Sequence, residues 1–96
     1  MCTVIGLLKI KDSAAFEIYK AGVPATLPPY QGEVIGRGAF AETFANEREM
    51  PEVDAVALLQ FPSLEQAQQW ANGPEYQALI PVRNQAIELT LRAFSV

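Results

Sequence analysis

Histidine does not occur in this 96-residue chain, and cysteine occurs once, as Cys2. The first absence excludes His-dependent catalytic triads, His-liganded zinc and haem on a proximal His. The second excludes an internal disulfide and suits a reducing cytoplasm, where the chain is expected to reside. Nothing in the sequence supplies Cys2 with the neighbouring base or helix N-terminus that would activate a thiol. No apolar run approaches the roughly 20 residues of a membrane span. The start, Met1-Cys2-Thr3-Val4, lacks the charged head and apolar centre of a signal peptide. Basic residues are few: seven Lys and Arg stand against eleven Asp and Glu, and the net charge is −4. No basic run exists to track a phosphate backbone, so neither nucleic acid nor membrane is an expected partner. Phosphate-binding glycine loops are missing too, since Gly32, Gly36 and Gly38 fit no such spacing.

What is present is apolar. Half the residues are hydrophobic, which is rich for a chain short enough to form one domain over residues 1–96. Thr3 to Ile10 is a β-branched and aliphatic run with two mainly apolar faces, a strand covered on both sides. Asp12 or Ser13 can cap a following helix, whose stripe is Phe16, Tyr19, Val23, Leu27 and Tyr30. Pro24 should kink or split that helix, Pro28-Pro29 should end it, and Gln31-Gly32 turns the chain. Glu33 to Phe40 reads as a second strand with Ile35, Arg37 and Ala39 on one face. Gly36 and Gly38 lie on the other, which signals a close approach, a bulge or simple twist.

Residues 41–53 form an acidic, solvated loop without calcium-loop spacing, so no metal is expected. Asp54 to Phe61 is a third strand, again apolar on both faces. Ser63-Leu64-Glu65-Gln66 is a capping box; Leu64, Ala67, Trp70 and Ala71 follow as an inward stripe. Asn72-Gly73 stops this helix, and Pro74 suits the first position of another. Ile87 to Phe94 is a final strand with one apolar face.

The order βαββαβ names an α+β, ferredoxin-like sandwich: a four-stranded antiparallel sheet with helices on one face. Two helical segments cover one face only, yet three strands look apolar on both. The uncovered face therefore predicts a homodimer paired through the sheet.

The chain resembles the uncharacterised DUF1330 family of the dimeric α/β-barrel superfamily. The resemblance rests on Phe61-Pro62-Ser63, Ala67, Trp70, Pro74-Glu75-Tyr76, Leu79 and Arg83, with Arg37-Gly38, Tyr19 and the turn from Tyr30 to Gly32. Ala39 departs from the second glycine the family often has, and Phe44-Ala45-Asn46 replaces its Leu-Glu-Gly turn. The resemblance implies a ferredoxin-like fold and a dimeric barrel, and no established activity. Superfamily relatives include cofactor-free oxygenases, isomerases and ligand-sensing domains, an analogy at the level of fold.

Six residues are candidates for a ligand site between sheet and helices. Arg37 demands a charged partner, either a ligand or a glutamate such as Glu75 or Glu88, within the chain or across the dimer. Arg83 follows Tyr76 by two helical turns. The pair can hold a small ligand, or the arginine can lie over Tyr76 or Trp70. Tyr19, Tyr30 and Trp70 can line a pocket or fill the core. Three functions are compatible with this set: binding of a small anionic or aromatic metabolite, cofactor-free isomerase or oxygenase chemistry in the same pocket, or a structural dimer without ligand. No cofactor is expected, and no catalytic residue can be named.

Overall fold

The computed structural model describes residues 1–96. Strand β1 (Cys2–Ile10) lies inside the sheet, with β3 (Ala55–Phe61) on one side and β4 (Ile87–Ser95) on the other. Strand β2 (Glu33–Ala39) completes the order β2-β3-β1-β4, and every neighbouring pair is antiparallel. Helices α1 (Ser13–Gly22), α2 (Leu64–Asn72), α3 (Pro74–Gln77) and α4 (Ile80–Ala86) provide the second layer. This is the ferredoxin-like βαββαβ arrangement.

Local chemistry accounts for the element boundaries. Asp12 Oδ1 accepts the Ala15 N–H at 3.1 Å and caps α1. Ser63 Oγ accepts the Gln66 N–H at 3.2 Å and caps α2. The reciprocal half of that capping box is not formed, and Gln66 Oε1 is buried without a partner. Pro74 opens α3 and Pro81 lies in the first turn of α4, where a missing N–H costs nothing.

Helix α1 is shorter than the apolar stripe suggests. It ends at Gly22, and Pro24 then starts a 3₁₀ turn (Pro24–Thr26), followed by another at Pro28–Tyr30. Leu27 and Tyr30 therefore leave the helix, although Leu27 still reaches the core at 2 % exposure. Gln31, in the left-handed region at φ 57°, reverses the chain into β2.

Burial along β1 alternates. Cys2, Val4, Gly6 and Leu8 face the helices and are buried; Thr3, Ile5 and Leu7 face the open side of the sheet and are half-buried. The partners follow suit: Val4 pairs with Leu59 on the covered face, Ile5 with Leu58 on the open one. Trp70, Tyr76, Phe61 and Cys2 are the largest fully enclosed side chains. Strand β2 carries a bulge at Ile35, because Val34 pairs with Leu59 while Gly36 pairs with Leu58. The extra residue takes Ile35 out of phase with Arg37 and Ala39. Those two pair with Ala57 and Ala55 and so lie on the helix side of the sheet.

Candidate functional site

A cavity of about 420 Å³ lies between α1 and the covered face of the sheet. It exists because the sheet offers small residues there: Gly6 on β1 and Ala55 and Ala57 on β3 form the floor. Above them α1 packs mainly against α4, which leaves a gap over β2 and β3. Phe16, Tyr19 and Val23 make one wall, Leu59 and Trp70 another, and Leu89 and Leu91 of β4 close the side. The volume falls within the range of ligand pockets, and the mainly apolar lining with a few polar groups is typical of them.

The charged lining residues are Arg37, Lys20 and Asp54. Asp54 is already engaged: Oδ2 accepts the Ile10 N–H at 2.8 Å, and Oδ1 lies 3.7 Å from Lys9 Nζ. Lys20 pairs with Glu17 at 3.1 Å and sits over the Phe16 ring, 5.2 Å from its centre. Arg37 takes part in neither ion pair of the chain. Glu75 is occupied by Tyr30. Glu88 lies on β4, the opposite edge strand, beside Lys9 on the open face. An Arg37 salt bridge to either glutamate is therefore not made within the chain. The guanidinium is an exposed positive charge beside an apolar cavity.

The sequence candidates separate into three places. Arg37, Tyr19 and Trp70 line the cavity. Tyr76 and Arg83 face each other, as their spacing predicts, but they lie behind Tyr19. Tyr76 is 2 % exposed, and Arg83 both donates to its hydroxyl at 3.1 Å and lies 5.7 Å from its ring centre. The Tyr19 and Tyr76 hydroxyls are 2.8 Å apart. Burial, reinforced by the Tyr76 hydrogen bond, pushes the Tyr19 phenol well above its ordinary value. Tyr30 is elsewhere. Its hydroxyl donates to Glu75 Oε1 at 2.5 Å, which raises the phenol and holds the carboxyl below its usual range.

Trp70 has no free polar group: its N–H is taken by Thr26 Oγ1 at 2.9 Å, and its ring packs at a tilt against Tyr76 and Phe61, 4.4 and 5.4 Å between centres. It contributes apolar surface to the cavity. Phe16 and Lys20 also line the cavity, and the one sequence sign of Lys20 is that it follows Tyr19 directly. Gly6, inside an otherwise aliphatic strand, was the available signal for space at the floor. No group of three Cys, Asp or Glu side chains is arranged to hold a metal ion.

Comparison with known proteins gives a consistent fold and no activity. Residues 3–95 match a family model described as a domain of unknown function (DUF1330). No curated protein matches the sequence. Among solved structures, the RPA0582 protein of unknown function from Rhodopseudomonas palustris superposes with a TM-score of 0.78 at 15 % identity, covering 97 % of this chain and 79 % of that one. A dimeric protein of unknown function with a ferredoxin-like fold from Bacteroides fragilis gives 0.67 at 13 %, covering 99 % and 95 %. SnoaB, a cofactor-independent oxygenase from Streptomyces nogalater, gives 0.67 at 11 %, covering 99 % and 91 %.

Proposed function

The chain belongs to the DUF1330 family, and we propose that it binds a small amphipathic anion in the cavity under α1, as a cytoplasmic homodimer. The ligand has an apolar or aromatic body and a carboxylate or similar group. The observation that carries this reading is Arg37: an unpaired cation beside an apolar cavity whose only carboxylate, Asp54, is already bound. An anionic head group meets Arg37 while its body displaces water from the apolar walls.

Pairing of two copies is supported by the bare face of the sheet. Ile5, Leu7, Val56 and Leu58 form its centre, and Phe94 is 48 % exposed at its side. The chain is a slab of 35 × 32 × 18 Å. Its accessible surface is 6161 Å², against about 5400 Å² for an ordinary monomer of this size. A second copy laid on that face would cover the excess. Enzymatic use of the cavity has weaker support. Asp54 is tied down, and Tyr19 keeps its proton, so no lining group is poised as a base.

Titration calorimetry with naphthalene-2-carboxylate and a series of phenylalkanoates tests the reading. Arg37→Ala should weaken binding by about tenfold or more, the loss of one charge-assisted hydrogen bond. The thermal midpoint of the free protein should barely move. Equal affinity in the variant, or no binding by any member of the series, would refute the proposal.

A further inference from the structure

Arg92 is a bare cation on the open face of the sheet. It pairs with Ile5 on β1, and Ile5 pairs with Leu58 on β3, so the arginine ends the central row of that face. It takes part in neither ion pair of the chain. Its neighbours along the same face of β4, Thr90 and Phe94, are uncharged. Glu88, one step further, lies opposite Lys9. A second sheet laid on this face would strip water from the guanidinium, which then requires a carboxylate within reach.

The loop between β2 and β3 carries both carboxylates and an apolar anchor. Residues 41–53 hold four glutamates against one arginine, Arg48, a net charge of −3. The loop is tied at its base, where the Phe40 N–H donates to the Asp54 carbonyl at 2.8 Å. It is tied again further out: Asn46 Oδ1 accepts the Met50 N–H at 2.8 Å, and Asn46 Nδ2 donates to the Met50 carbonyl at 3.0 Å. So held, it overhangs one end of the open face, where Phe44 and Met50 share a groove with Leu7 and Thr90. Phe44 is nevertheless 92 % exposed, more than any other large apolar side chain of the molecule. The fold presents this ring without packing it.

We propose that the 41–53 loop is a dimerisation arm. In the homodimer it crosses onto the second copy, where Phe44 packs on the open face of β4 and the loop glutamates meet the partner's Arg92. A second copy fits better than any other occupant because one surface carries both complements, the bare cation and the acidic, aromatic arm. Two-fold symmetry then makes the contact twice. An acidic loop is repelled by an anionic lipid surface, which argues against a membrane as the occupant. This inference rests on the pairing through the sheet proposed above.

The test measures the dissociation constant of the dimer by fluorescence-detected sedimentation. Phe44→Ala removes a ring that has almost no contact within its own chain, so the circular dichroism should not change. The dissociation constant should rise about tenfold for each of the two contacts, about a hundredfold together. Ile18→Ala is the control: Ile18 is 64 % exposed on α1, in the helical layer, and its loss should leave the constant within about twofold. A second measurement places the photoreactive residue p-benzoylphenylalanine at position 44 and mixes light with isotopically heavy chains. Irradiation should join position 44 of a heavy chain to the β4 peptide containing Arg92 of a light one. A wild-type dimer indifferent to Phe44→Ala, or a cross-link formed only within single chains or only to the helical layer, would overturn the arm and leave the sheet pairing standing. A wild type that stays monomeric would instead remove the pairing, and the arm with it.

Discussion

Trp70 is held by Thr26: the indole N–H donates to Thr26 Oγ1 at 2.9 Å, and that hydroxyl donates in turn to the Val23 carbonyl at 2.6 Å. The pair ties α2 to the 3₁₀ turn that follows α1, at the back of the cavity. Thr26→Val keeps the shape and removes both bonds. A buried indole N–H left without an acceptor should lower the unfolding free energy by about 1–3 kcal/mol. Thr26→Ser should lose much less. Urea titration followed by the emission of Trp70, the chain's one tryptophan, reads both. A Thr26→Val midpoint equal to wild type would show that the bond is idle.

Gly32 is required by the ring of Phe61. A Cβ at position 32 would overlap that ring, and Phe61, 1 % exposed, has nowhere to go. Gly32→Ala should destabilise the fold by roughly 1–3 kcal/mol. Gly38 is the control, because a Cβ there meets Val56 Cγ1 at 3.5 Å, an ordinary contact. If the two alanine variants unfold at the same denaturant concentration, the steric argument is wrong.

The bare sheet face makes oligomeric state measurable. At micromolar concentration light scattering should give twice the chain mass. Leu58→Asp places a charge at the centre of the open face, between Ile5 and Gly36, away from the core. It should weaken association by at least about a hundredfold, near 3 kcal/mol, and leave the circular dichroism of a folded chain. A wild-type monomer would end the idea of pairing.

Acid should loosen the fold through Asp12 and Glu75. The Ala15 N–H holds the Asp12 carboxyl below its ordinary range, and the Tyr30 hydroxyl does the same for Glu75. Unfolded, both carboxyls titrate near their usual values of about 4. Between the folded and unfolded values the unfolded chain binds more protons. The stabilisation is thus fully present above about pH 4 and is lost as pH falls through the lower folded values. The melting temperature should drop as the pH falls below about 4. Asp12→Asn and Glu75→Gln, which keep an acceptor oxygen, should flatten that drop. An unchanged slope in both variants would exclude these two groups as its source.

The architecture was legible because its boundaries are made by local chemistry. Asp12, Ser63 and Pro74 each act within a turn of their own position, so residue identity alone marks these helix starts. The end of α1 was less legible: the stripe continues through Leu27 and Tyr30, but the missing N–H of Pro24 outweighs it. Two close glycines marked the irregularity in β2 without locating it, since a bulge at Ile35 or an uninterrupted strand fits the same letters. The site was legible in part. Arg37, Tyr19 and Trp70 do line the cavity. Tyr76 carries the same amphipathic signature as Tyr19 and lies one layer deeper, because depth depends on how α3 and α4 pack, and no periodicity records that.

The alternation along β1 also divides the consequences of error. Nine consecutive codons carry two interleaved messages, one addressed to the interior and one to the outside. A lesion at Val4 or Leu8 strikes the fold itself and should empty the cell of product. A lesion one letter away, at Ile5 or Leu7, spares folding and alters only what the finished molecule can adhere to. A saturation library read for abundance should therefore oscillate along this stretch with a period of two.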